Sequence, residues 1–315
     1  MTGDKRILIS PGPHLWSGLS VSKIMYLVAL ALILPSGAGV YFFGYHALLV
    51  MVTSVATAVL TEYVSKKLRK RAFVMDWSAV VTGLLLALTI SPTVPLWMVV
   101  IGSAFSIGIV KEAFGGLGHN IFNPALGGRA FMAACFPAEM TTWVLPAGFV
   151  ADAVTCATPL NESFIYPMGK LSLYKALFMG NVGGSIGETS TLLILIGGLL
   201  LLVLGIINWR IPLAYIGTVA LLTFALGQDA IFHILAGGLM LGAFFMATDY
   251  VTSPITNKGR IIFGVGAGVL TVVIRLFGGM PEGVCFSILF MNALTPLIDR
   301  YIKVRPYGLK QAGEK

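Results

Sequence analysis

Long apolar runs with short polar connections between them decide what this 315-residue chain can become. Stretches such as 24–34 and 192–207 carry no charge at all. A bilayer core of about 30 Å is crossed by roughly 20 apolar residues in a helix. Charged residues make up 11% of the chain and hydrophobic ones 57%, whereas a soluble domain carries about 25% charged residues. These numbers imply an integral membrane protein with little soluble mass. The length rule gives about ten helices. They are expected near 22–40, 45–65, 76–91, 95–112 and 121–136, then 190–207, 211–227, 230–248, 261–277 and 283–299.

Basic residues orient this arrangement. Lys66, Lys67, Arg69, Lys70 and Arg71 form the densest cluster, and positive loops stay in the cytoplasm. The same topology puts Lys5, Arg6, Arg210, Lys258, Arg260 and the tail after Asp299 inside. The net charge of +8 is thereby accounted for by membrane topology, not by nucleic-acid binding. No small-residue cleavage site follows the first apolar segment, so that segment reads as a retained helix and not a signal peptide. Residues 137–188 fall outside the cytoplasm on this count, and loops beyond about 12–15 residues are usually functional or disordered. Trp143, Phe149, Phe164 and Tyr166 within it argue against disorder. The expected divisions are 1–136, 137–188, 189–299 and a basic cytoplasmic tail, 300–315.

Two motifs recur at offsets that agree within one residue: Ser91-Pro92 with Ser253-Pro254, and Phe114-Gly115-Gly116 with Phe277-Gly278-Gly279. Asn123-Pro124-Ala125-Leu126 finds a looser echo in Asn292-Ala293-Leu294. About five helices per half on the length rule would give the halves opposite orientations, an inverted repeat. The alternative is coincidence between common membrane dipeptides. Glycine pairs let backbone leave a helix where protein shields it. Asn123-Pro124 has the form of a helix start, and Ser91-Pro92 and Ser253-Pro254 are candidates for the same role. The fifth helix looks short, broken or tilted.

Few residue clusters suggest chemistry. The three cysteines, Cys135, Cys156 and Cys285, are dispersed and form no CxxC pair, which argues against an iron–sulfur or zinc site built by this chain alone. His14, His46, His119 and His233 read as capping or packing residues. Glu62 and Lys66 form a helical i,i+4 pair, while Lys111 and Glu112 are expected to meet water at the inner end of the fourth helix. Arg129 and Arg275 are each open to an ion-pairing or a snorkelling role. Asp249, beside Thr248, Thr252 and Ser253, is an ionisable group near membrane depth. With Asn120 and Asn123 it makes a candidate ion or second-flavin set, against a structural alternative at the inner surface.

The polar stretch Asp152-Ala153-Val154-Thr155-Cys156-Ala157-Thr158-Pro159 stands apart. Pro159 biases Thr158 toward an extended backbone, and Cys156 and Ala157 are small, so the Thr158 hydroxyl is open to a modifying enzyme. A plain polar turn has the same composition. The segment resembles the flavinylation motif of the D subunit of the Rnf complex and of its relative, the B subunit of the sodium-translocating NADH:quinone reductase. Asp152, Thr155, Ala157 and Thr158 match that motif; Cys156 stands where Ser or Gly is more familiar. The resemblance extends to Gly118-His119-Asn120-Ile121-Phe122-Asn123-Pro124-Ala125 and to residues 245–254, and the length suits the Rnf protein better.

The resemblance implies an FMN joined through its phosphate to Thr158 by a flavin transferase that uses FAD and magnesium. A non-covalent riboflavin is the second cofactor in view. It further implies an all-α membrane component of an electron-transfer complex in the cytoplasmic (inner) membrane. That complex moves electrons between ferredoxin and NAD⁺ and exports Na⁺ or H⁺, and its other membrane, flavin and iron–sulfur subunits are the partners. The chain shows no Gly-rich nucleotide fingerprint after a strand. The competing classes are the B subunit of a quinone reductase, a solute channel or transporter with an inverted repeat, and a passive membrane anchor.

Overall fold

The computed structural model describes residues 19–146, 155–156, 160, 169–278 and 283–303. The protein is built of helices, as expected from the apolar runs. Helices α1 (Val21–Phe43) and α2 (Tyr45–Leu68) meet at Gly44, whose φ of 71° is open to glycine at little cost. Helix α3 (Ser78–Leu88) is followed by α4 (Leu96–Phe105), which runs on as a π-helical segment, Ser106–Glu112. Helices α5 (Pro124–Cys135) and α6 (Pro137–Thr141) complete the first half.

A two-residue antiparallel ladder then joins β1 (Trp143–Val144) to β2 (Thr155–Cys156), with Trp143 opposite Cys156 and Val144 opposite Thr155. Helix α7 (Gly169–Met179) precedes α8 (Thr191–Val203), α9 (Arg210–Ala225), α10 (Ala230–Leu235) and the single turn α11 (Leu239–Leu241). A second π segment, Gly242–Met246, continues α11, and α12 (Asn257–Phe277) and α13 (Val284–Tyr301) follow.

Among the described residues, α1, α2 and α12 are each long and apolar enough to cross a bilayer. Their outward faces carry exposed Ile33, Tyr41, Leu60, Val273 and Phe277. In lipid such faces carry no penalty, and helices associate through close packing and small residues instead. Gly264 and Gly268 of α12 lie against the backbone of α9: a Cβ on Gly264 would come 2.9 Å from the Ile211 carbonyl oxygen, and one on Gly268 3.0 Å from that of Tyr215. Gly197 of α8 approaches the Ala31 carbonyl of α1 in the same way, at 2.9 Å. Tyr215, fully buried, shares hydrogen bonds with Thr271 (2.7 Å) and Ser287 (3.1 Å), which ties α9, α12 and α13 together.

Three expectations need correction. The helix expected over 230–248 is broken, because Gly237 adopts a φ of 71° and Ala236 leaves α10 in extended backbone. Lys111 and Glu112 do not meet water; each is 1% exposed. They lie in the π segment, where the wider turn shifts the phase of the residues that follow it. Lys111 Nζ lies 2.9 Å from Glu62 Oε1, which also binds Lys66 at 2.9 Å, and Glu112 pairs with Arg69 at 3.7 Å. Finally, Ser91-Pro92 and Ser253-Pro254 do not start helices. Pro95 and Thr256 occupy those caps; Ser91 Oγ instead donates to the Thr142 carbonyl at 2.7 Å.

Candidate functional site

Asn123 caps α5 as its position before Pro124 suggests. Its Oδ1 accepts from the backbone N–H of Ala125 (3.1 Å) and Leu126 (3.4 Å). Its Nδ2 donates to the Met246 carbonyl at 3.2 Å. That one side chain joins the start of α5 to the end of the second π segment, 123 positions apart in sequence. Asn292, the partner of Asn123 in the sequence echo, stands in the same place. With its amide oriented to satisfy both neighbours, it accepts from the Asn123 N–H (3.1 Å) and donates to the Thr252 carbonyl (3.3 Å).

Around this junction lies a cavity of about 70 Å³ whose lining includes Asn120, Asn123, Thr248 and Asp249 together with Lys111 and Ser78. Thr252 stands behind it and donates from Oγ1 to Asp249 Oδ2 at 3.1 Å. Asn120 donates to the Phe122 carbonyl at 3.1 Å, while its buried Oδ1 has no hydrogen-bond partner among the described residues. All five residues of the candidate ion or second-flavin set therefore gather in one place. Apolar residues, among them Met25, Val28, Phe244 and Phe245, complete the lining. Chemically, the cavity offers carboxylate, amide and hydroxyl oxygens together with one ammonium group.

Lys111 and Ser78 were missed as members of this cavity. Lys111 Nζ donates to Ser78 Oγ at 2.5 Å and to Glu62 at 2.9 Å. A lysine and a glutamate in helices otherwise suited to lipid were the available signal. Arg129 is buried in α5.

The Asp152–Thr158 motif falls mostly outside the described residues; Asp152, Ala157 and Thr158 all do. Thr155 and Cys156 are placed by their backbone, in the ladder with β1. On the other side of Thr158, Leu160 packs with Ala176 and Leu177 of α7, Val182 and Ala236. Both flanks of the motif are thus joined to the helical body. Strand β1 is buried, with Trp143 6% and Val144 5% exposed. Helix α7 is bound to the start of α10 through the Tyr174 hydroxyl, which donates to the Asp229 carboxylate.

Known proteins match nearly the whole chain. The model of the NQR2, RnfD, RnfE family covers residues 8–308. The D subunit of the proton-translocating ferredoxin:NAD(+) oxidoreductase complex of Clostridium ljungdahlii is 50% identical over 319 residues, 96% of each chain. Its counterpart in the Na(+)-translocating ferredoxin:NAD(+) oxidoreductase complex of Acetobacterium woodii is 48% identical, covering 97% of this chain and 96% of its own. The D subunit of the ion-translocating oxidoreductase complex of Stutzerimonas stutzeri is 42% identical over 94% of both. This chain belongs to the NQR2, RnfD, RnfE family.

Proposed function

We propose that the chain is the D-type membrane component of an ion-translocating ferredoxin:NAD⁺ oxidoreductase complex, relaying electrons through an FMN covalently attached to Thr158. The observation that carries this is the end-to-end similarity to proteins bearing that name, taken with Asp152, Thr155, Ala157 and Thr158 in the pattern of a flavin-attachment motif. Attachment forms a bond from Thr158 Oγ to the FMN phosphate of FAD, breaks the bond between the two FAD phosphates and releases AMP. When bound, FMN supplies reversible electron transfer. The chain's part is to hold it. On either side of Thr158 in sequence, Thr155–Cys156 are held by the ladder with β1 and Leu160 by its packing on α7.

The proposed membrane plan is about ten crossing elements on the length rule, as two inverted five-helix repeats over 1–136 and 189–299. Residues 137–188 then lie outside the cytoplasm, and both termini and the basic tail 300–315 inside. The cavity of Asn120, Asn123, Thr248 and Asp249, backed by Thr252, is the proposed ion or riboflavin site. The implied partners are the other subunits, the flavin transferase, membrane lipid and Na⁺ or H⁺.

Mass spectrometry of the chain purified from cells with an active flavin transferase tests the central claim. An FMN-sized adduct that Thr158→Ala abolishes supports it. An unmodified chain from such cells leaves a channel or transporter as the better reading.

A further inference from the structure

The break in the second half leaves a polar cluster that no role above uses. Breaking the helix at Gly237 frees the last carbonyls of α10, which need donors. Arg275, near the end of α12, supplies them: Nη1 donates to the His233 carbonyl at 2.6 Å and Nη2 to that of Ala236 at 3.1 Å. Its third donor, Nε, is buried and has no hydrogen-bond partner among the described residues. The same is true of Glu188 Oε1 and of His233 Nδ1. Glu188 is 8% exposed and its charge acts on Arg275. It is also held in place. The turn before it is fastened to the end of α3 by the Ile186 and Gly187 N–H groups, which donate to the carbonyls of Ile90 (3.1 Å) and Leu88 (2.7 Å).

Native structures rarely leave buried donors and acceptors unused, and several together ask for a partner. Leu160 shows where that partner would come from. A Cβ on Gly237 would meet Leu160 Cδ1 at 2.7 Å and Arg275 Nη2 at 3.1 Å, so the two side chains share the space over that glycine. Thr158 precedes Leu160 by two residues, at most about 7 Å of backbone.

Resting on the proposed attachment of FMN to Thr158, we propose that Arg275 and Glu188 bind the pyrimidine edge of the tethered flavin ring. Of the three unused groups, Arg275 Nε is a cationic donor and Glu188 Oε1 an anionic acceptor. That edge carries carbonyl acceptors beside an N–H donor and satisfies both. A phosphodiester carries acceptors alone and would set its charge against Glu188. When the ring takes up one electron from a neighbouring redox centre it gains one negative charge, and no bond of the tether breaks. Arg275 keeps its protons and stabilises that charge, while Glu188 opposes it.

Potentiometric titration of the flavin in the intact complex tests this. Arg275→Gln is expected to lower the equilibrium constant for the first electron about tenfold, a downward shift of about 59 mV for a one-electron couple. Glu188→Gln is expected to move it the opposite way. Arg275→Lys, which keeps the charge, is expected to recover most of the loss. Arg275 also caps α10, so where Arg275→Gln does not assemble, Glu188→Gln decides alone. Unchanged potentials in an assembled, fully flavinylated variant overturn the proposal and leave the attachment to Thr158 standing. If flavin content falls while the potential of the remaining flavin holds, Arg275 serves the phosphate and the proposal is likewise overturned. A wild-type chain that carries no flavin at all removes both readings.

Discussion

Replacing Glu62 by Gln isolates the energetics of the buried charge cluster. Glu62 is 2% and Lys111 1% exposed, and one carboxylate oxygen holds both Lys111 and Lys66 at 2.9 Å. Without that carboxylate the Lys111 ammonium keeps only Ser78 Oγ and a neutral amide as close partners. Removing one member of a buried ion pair costs about 3–5 kcal/mol, since the other charge stays behind uncompensated. Lys111→Met is the milder change, because Glu62 retains Lys66, whose side chain is 16% exposed. A loss of about 1–3 kcal/mol, that of an unsatisfied buried polar group, is expected. The double variant removes both buried partners and should be more stable than the sum of the single losses, with a coupling energy of about 1–3 kcal/mol. Equilibrium unfolding of the purified chain in mild detergent, read by near-UV circular dichroism for all four forms, gives this number. Additive losses, with coupling below about 0.5 kcal/mol, would show that Glu62 and Lys111 do not act as a pair.

Three more outcomes are expected. Asn123→Ala removes the α5 cap, for about 1 kcal/mol, and the bond to Met246, for about another; a loss under about 0.5 kcal/mol in the same unfolding assay would contradict the joint role. Gly237→Val places a branched side chain at a φ of 71° against Leu160 and Arg275, so a loss of at least about 1 kcal/mol is expected from backbone strain alone, and wild-type stability would refute it. The contact of α7 with α10 should be acid-sensitive. Burial alone would raise the Asp229 pKa, but the Tyr174 hydroxyl, the Phe232 N–H and the Lys170 charge outweigh it and hold the carboxyl below the usual aspartate value. A lowered folded pKa gives stability that is fully present above the ordinary value of about 3.9 and is lost as pH falls through the folded one. Hydrogen exchange in α7 should therefore quicken at low pH, less steeply in Tyr174→Phe; equal pH profiles would exclude the link.

Much of the scaffold was legible because lipid imposes a simple rule. The runs that form α1, α2 and α12 lie close to their expected ranges, since length and apolarity alone define them. Interrupted elements were harder. Residues 230–248 carry a signal in the pair Gly237-Gly238, but that pair alone does not fix a break, because the freed carbonyls also need Arg275, from another helix, to donate to them. Lys111 and Glu112 were misplaced for a related reason. Their burial follows from a π-helical turn and from Glu62 and Arg69, which lie more than 40 positions earlier. The residues of the candidate ion or flavin site were legible singly, as Asn123 at a helix start and Asp249 at membrane depth. Their grouping into one set was legible too, whereas Lys111 and Ser78 in the same lining were not, because Lys111 turns inward on a π-helical segment. Thr158 was singled out by local pattern and family resemblance alone.

The glycine seam between α9 and α12 has a mechanical meaning. Two helices that touch backbone to backbone at Gly264 and Gly268 have no soft side-chain layer through which to slide. They form a stator. Arg275 rides on one member and Asp229 sits just past the end of the other, so any shift of one during turnover transports the other and, through Tyr174, drags α7 as well. The interrupted stretch from Ala236 to Met246 is pinned to that stator at one end, where Arg275 donates to the Ala236 carbonyl, and to α5 at the other, where Asn123 donates to the Met246 carbonyl.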